Sequence, residues 1–235
     1  MVAIVLHLHY QDLWGEFKDK ISPLLSDTVH LYISVNEFTP IVNEMVEYAE
    51  DVFILENKGA DFGPFVYTYN RIRSKGYKQI VKVHGKKSLH NIKIGDTWRK
   101  KLTQVLIESV EVFESVISAM NNDSRIFMAG AQSCFYDRAK EPIDGKGRTD
   151  CLPYIDKLNE YVNIETHGCF IAGSMFAVTT EYLELFFKDV DLDTLYNNFR
   201  IGYFREASLE HAMERMIGYG VEYHNGKFLV INPSE

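Results

Sequence analysis

Two polar motifs hold the side chains of this chain best suited to chemistry, and each follows a short apolar run. Asn57-Lys58-Gly59-Ala60-Asp61-Phe62-Gly63-Pro64-Phe65 follows Val52-Phe53-Ile54-Leu55, and Lys82-Val83-His84-Gly85-Lys86-Lys87-Ser88 overlaps the end of Gln79-Ile80-Val81-Lys82-Val83. If these runs are strands of an open α/β sheet, both motifs sit just beyond carboxyl ends, where the ligands of such sheets collect. Gly59 and Gly63 allow positive φ or close backbone approach, and Pro64 suits a first helical turn. A helix N-terminus placed there is an anion site; the alternative is a tight turn in which Asp61 caps the helix. In the second motif Lys82, His84 and Lys86 alternate and share one face, with Lys87 and Ser88 at the turn beyond. Three cations on one face repel one another unless an anion is present. A phosphate-bearing ligand meets that need, and the alternative is a solvated edge strand.

Other candidates are more local. His7 and His9 alternate at the end of the first apolar run, as polar residues lining the same cleft or, failing that, a metal pair with no evident third ligand. Glu210 and Glu214 lie four apart in Ser208-Leu209-Glu210-His211-Ala212-Met213-Glu214-Arg215, on one face of a helix that Ser208 is expected to cap. Either glutamate could act as a general base, or Glu214 and Arg215 could form ordinary ion pairs. Gly173, in Ala172-Gly173-Ser174-Met175-Phe176, signals close approach of a sugar or of a neighbouring helix. No Ser-His-Asp order, P-loop or GxGxxG is present. Asp189-Val190-Asp191-Leu192-Asp193 has DxD spacing, but it lies between helical patterns and reads as a solvated turn.

The elements that must position these groups alternate between strand and helix, the signature of βαβ units and a parallel sheet. Strands are expected at residues 2–8, 30–35, 52–55 and 79–83, with helices at 13–25, 40–49 and 64–74. Further on come one long helix or a broken pair over 97–120, a strand at 125–129, and a strand-like run at 170–178. Helices at 179–187 and 208–218 and a short strand at 228–231 follow. Residues 132–153, with Pro142, Gly145, Gly147 and Pro153, are expected to form a mobile loop or lid.

Composition narrows the function classes. At 235 residues, 46% hydrophobic and 25% charged, the chain fits one fairly large α/β domain spanning 1–235. The formal net charge of −8 argues against a general nucleic-acid binder. Three cysteines without CxxC spacing argue against a zinc site or a disulfide framework. No apolar stretch reaches the roughly 18–20 residues needed to span a bilayer, and there is no signal peptide. The expectation is therefore a soluble cytoplasmic protein, with peripheral attachment to the inner face of the plasma membrane as an alternative.

Five blocks in this order resemble the rhamnan synthesis protein F family of bacterial polysaccharide assembly. They are the opening strand with His7; Asn57-x-Gly59-x-Asp61-x-Gly63-Pro64-Phe65; Lys82-x-His84-x-Lys86-Lys87-Ser88 with Trp98-Arg99; Ala172-Gly173-Ser174-Met175-Phe176; and Glu210-His211-Ala212-Met213-Glu214-Arg215. The resemblance implies a glycosyltransferase with a single Rossmann-like, GT-A-like domain. Its nucleotide-sugar-binding part would be about 1–130 and its acceptor part about 131–235. The donor would be a nucleotide sugar, often rhamnosyl, and the acceptor an oligosaccharide or polyprenyl-linked glycan, handled beside other polysaccharide-assembly enzymes. On that reading Lys82, His84, Lys86 and Lys87 face the donor diphosphate, Asn57 and Asp61 hold nucleoside or sugar hydroxyls, and Glu210, preferred over Asp61, is the base. His7, Gly59, Gly173, His211 and Arg215 complete the implied substrate-binding set. The cationic block stands where a DxD motif would be expected, so no tightly bound cofactor is predicted; Mn²⁺ or Mg²⁺ is the alternative.

Overall fold

A computed structural model describes residues 1–85, 87, 92–140, 143–202, 204 and 207–233, the side chains of 92–94 apart. The apolar runs read from the sequence contribute to a seven-stranded sheet of order β3-β2-β1-β4-β8-β5-β9. Its first half alternates as expected: β1 (Val2–Leu8), α1 (Trp14–Ile21), β2 (Val29–Val35), α2 (Ile41–Met45), β3 (Asp51–Ile54), α3 (Phe62–Ile72) and β4 (Gln79–His84). β1 and β4 are buried along their whole length, as strands covered on both faces must be. β4 lies between β1 and β8, so the solvated-edge reading of Lys82 and His84 does not hold.

The stretch over 97–120 is a broken pair, α4 (Ile92–Gln104) and α5 (Val110–Asn122), and Ser109 caps the second by accepting from Val112 N at 3.3 Å. β5 (Ile126–Ala131) follows. The expected loop over 132–153 is corrected: β6 (Phe135–Tyr136) lies inside it, and α6 (Lys146–Val162) starts inside it and runs straight through Pro153. Arg148, Cys151, Ile155 and Leu158 are the buried residues of α6, a helical spacing that places one face on the core. Burial of that face outweighs the roughly 3 kcal/mol that an interior proline costs.

The run at 170–178 is also divided. β7 (Phe170–Ile171) pairs with β6 in a separate ribbon, and β8 (Phe176–Thr179) enters the main sheet antiparallel to both β4 and β5. α7 (Thr180–Phe186), α8 (Leu192–Asn198), α9 (Leu209–Tyr223) and β9 (Lys227–Ile231) complete the chain. Asp191 caps α8 by accepting from Thr194 N at 2.9 Å, in line with a turn rather than a metal motif. The architecture is α/β with a mostly parallel sheet. Among the described residues no helix is long and apolar enough to cross a membrane.

Candidate active site

The strand order places β1 between β2 and β4, so the chain leaves β1 in one direction and returns on its other side. Such a switch point opens a crevice at the carboxyl ends of the two central strands. His7 and His84 are paired in register there. His7 is buried, its Nδ1 3.2 Å from the Ser34 carbonyl and 3.1 Å from the Ser34 hydroxyl. Burial, reinforced by neighbouring His84, lowers its pKa to about 3, so the ring is neutral at neutral pH. His84 Nε2 donates to the Gly173 carbonyl at 3.0 Å. His9 lies outside β1 and pairs with Asn36 Oδ1 at 2.7 Å, so the two histidines do not converge on one metal.

Asp61 stands at the N-cap position of α3 but makes no capping bond. Its carboxylate instead accepts from the Lys82 ammonium, which also donates to the Ser174 carbonyl at 2.7 Å. Lys82 is 1% exposed, and its ammonium lies 4.5 Å from the Phe62 ring, with the Phe65 and Phe176 rings each 5.7 Å away. Asp61 Oδ2 is also 4.0 Å from His84 Nε2. The anion demanded by the cationic face of β4 is therefore supplied by the chain itself.

Two left-handed turns frame this pair: Gly59 and Ala60 at φ 67° and 48°, and Gly173 and Ser174 at φ 93° and 58°. Non-glycine residues held in that region are costly and persist where surrounding structure enforces them. At the first turn, Gly59 N donates to the Arg200 carbonyl at 3.1 Å and Gly202 N to the Asn57 carbonyl at 2.7 Å. A Cβ at Gly59 would lie 2.5 Å from the Phe199 ring. At the second, a Cβ on Gly173 would meet Leu102 at 2.6 Å and Trp98 Nε1 at 3.0 Å. Gly173 thus admits helix α4, the second of the two readings open from sequence.

α9 anchors the second turn. Glu214 Oε1 accepts from Gly173 N at 2.7 Å and from Ser174 Oγ at 2.9 Å. One turn earlier, Glu210 is buried, and its Oε1 has no hydrogen-bond partner among the described residues. It walls a cavity of about 180 Å³ with Tyr154, Lys157, Asn198 and Arg200. Ser208 stands at the N-cap of α9, but its hydroxyl pairs with His211 Nδ1 at 2.8 Å rather than capping the helix. Arg215 donates to the His211 carbonyl at 3.2 Å, and its guanidinium lies 5.2 Å from the Phe170 ring.

The structure therefore brings His7, Gly59, Asp61, Lys82, His84 and Gly173 together at the switch point, with Asn57 at its rim. Glu210 lies on a separate cavity, whose Arg200 belongs to the 199–202 segment that hydrogen-bonds to residues 57–59. Lys87 pairs with Asp12 and lies 5.2 Å from the Tyr10 ring. Lys86 and Ser88 lie outside the described residues. Sequence reasoning missed Ser34, the clamping role of Glu214, and Arg200. Glu214 was visible as the partner of Glu210 on one helix face; Ser34 and Arg200 carried no local signal.

A structural comparison finds likeness to the Mn/GDP form of core-mannan synthase A (CmsA/Ktr4) from Aspergillus fumigatus. The TM-score is 0.38 at 8% identity, over 96% of this chain and 70% of that one. The rhamnan synthesis protein F family matches residues 1–225, and the chain belongs to that family. Curated relatives are the uncharacterized protein WxcX of two strains of Xanthomonas campestris pv. campestris, B100 and ATCC 33913. Each is 28% identical over 228 residues, covering 95% of this chain and 32% of theirs. The chain thus spans about a third of the length of these relatives.

Proposed function

We propose that the chain is a glycosyltransferase unit of polysaccharide synthesis, moving a sugar from a nucleotide-sugar donor to a growing glycan or lipid-linked acceptor. Rhamnose is the first sugar to try, on the strength of the family description. The observation that carries this reading is the crevice at the switch point, walled by His7, His84 and the Asp61–Lys82 pair. Membership of a rhamnan-synthesis family supports it. Residues 1–130 would hold the donor, and residues 131–235 would supply most of the acceptor side.

In this proposal the acceptor hydroxyl attacks the anomeric carbon, and the bond from that carbon to the diphosphate oxygen breaks. The hydroxyl proton passes to Glu210, whose unpartnered Oε1 is available to receive it. The bonding electrons leave with the nucleotide diphosphate, whose growing charge falls to His84, to Lys86 and to Lys87 released from its surface pair with Asp12. Lys82 holds the site rather than touching the donor, because its ammonium is enclosed by Asp61, Ser174 and three rings. Asp61 is neutralised by Lys82, which favours cationic side chains over a divalent ion as the partner of the diphosphate.

A second reading, a non-catalytic nucleotide- or glycan-binding module of a larger protein, is favoured by the short share of its relatives that the chain spans. Screening nucleotide sugars by thermal shift and then assaying the hits separates the two. Acceptor-dependent release of nucleoside diphosphate is expected. Binding without turnover favours the module, and release of free phosphate would point to a sugar-phosphate hydrolase.

A further inference from the structure

Beyond the carboxyl end of β5 lies a larger cavity, of about 420 Å³, that the proposed chemistry leaves unused. Thr97, Trp98 and Lys101 of α4 form one wall, and Ser133, Tyr136 and Ala172 form the other. Its volume falls within the roughly 300–1,000 Å³ of small-molecule sites. β5 and β4 are both antiparallel to β8, so they end on the same edge of the sheet. The cavity and the switch-point crevice therefore open on one edge, and Ala172 of the cavity wall adjoins Gly173 in the chain. Trp98 walls the cavity and lies against Gly173, whose carbonyl receives His84.

The lining has a definite chemical character. Trp98 and Tyr136 are 36% and 40% exposed, and aromatic rings of that size usually bury more of their surface. Around them stand two hydroxyls, Thr97 and Ser133, and one ammonium, Lys101, with no carboxylate in the lining among the described residues. A pyranose ring fits such a surface, because its C–H face lies on an aromatic plane while its hydroxyls take hydrogen bonds from the rim. Among the described residues a nucleoside diphosphate would meet one cation here, and a polyprenyl chain would leave the ammonium and hydroxyls without partners.

We infer that this cavity is a remote acceptor subsite, holding against Trp98 and Tyr136 a neutral sugar ring of the growing glycan that precedes the reacting one. The inference rests on the transferase reading above and names its second substrate site. The fluorescence of the protein tests it directly, because the chain has two tryptophans and Trp14 is only 1% exposed. Titration with a rhamnose trisaccharide should change the emission saturably through Trp98. Trp98→Phe should abolish that signal while calorimetry still detects binding. Tyr136→Ala, on a different element, should weaken trisaccharide binding roughly 3- to 10-fold and leave nucleotide-sugar binding unchanged.

A trisaccharide that binds with unchanged emission, or equally well to Tyr136→Ala, would place the acceptor elsewhere and overturn the inference while the transferase reading stands. Binding of a nucleotide sugar without any binding of the trisaccharide would likewise overturn the subsite alone. Failure to bind either ligand would overturn both.

Discussion

Lys82→Met separates the two roles open to the most buried cation among the described residues of the site. Methionine keeps the length and apolar stem of lysine and removes only the ammonium, which lies among the Phe62, Phe65 and Phe176 rings. Two losses follow. The Ser174 carbonyl loses its donor, worth about 1–3 kcal/mol. Asp61 loses its counter-ion, and removing one partner of a buried pair costs about 3–5 kcal/mol. The Asp61 side chain is 17% exposed, so solvent relieves part of that penalty, and the thioether packing against the rings recovers more. The net loss is placed at about 3 kcal/mol. With a urea dependence of about 3 kcal/mol per molar, the unfolding midpoint should fall by roughly 1 M.

Asp61→Asn should cost more, because it leaves the ammonium of Lys82, a residue that is 1% exposed, without its counter-charge. The double variant should be less damaging than the sum of the singles by about 1–3 kcal/mol. Urea unfolding followed by circular dichroism, with nucleotide binding measured in parallel, decides the matter. If Lys82 instead served a donor phosphate, its removal would relieve repulsion with His84. Stability would then hold or rise while nucleotide binding fell, and that outcome would refute the structural role.

Two further perturbations act on the same frame. His7 has a folded pKa of about 3 against about 6.5 unfolded, so the unfolded state alone takes up a proton as pH drops below 6.5. Its penalty is absent above that pH, reaches about 1.4 kcal/mol at pH 5.5 and keeps growing towards pH 3; urea midpoints across this range should show it, and His7→Gln should flatten the slope. Gly173→Ala forces a side chain into a φ of 93° and against Leu102 at 2.6 Å, so it should cost about 2 kcal/mol or more by urea unfolding; a change under about 0.5 kcal/mol would mean the turn can shift away from α4.

Much of this frame was legible in the sequence. β1 to β4 stand out because apolar runs such as Val2–Leu8 alternate with helical spacing and end at glycine or at polar residues. Alternation along β4 placed Lys82 and His84 on one face, and carboxyl-end logic placed both motifs at one edge. What sequence could not give was pairing across distance. Nothing local says that Asp61 reaches Lys82, or that Glu214 reaches the 173–174 turn, since those meetings depend on how α3 and α9 pack. α6 was hidden for another reason. Pro142, Gly145, Gly147 and Pro153 are turn formers, and the spacing of Arg148, Cys151, Ile155 and Leu158 beneath them carries too few strongly apolar residues to stand out. Gly173 signalled close approach correctly, but only the structure shows that the neighbour is Leu102 and Trp98.

Transfer by Glu210→Gln tests the central claim most directly. The substitution keeps the shape of a buried side chain whose Oε1 lacks a partner among the described residues, so the fold should persist. Acceptor-dependent release of nucleoside diphosphate should fall by about 10²- to 10⁴-fold, the usual effect of losing a general base, while donor binding is unchanged. Turnover equal to that of the unmodified protein would contradict the account and move the base away from α9.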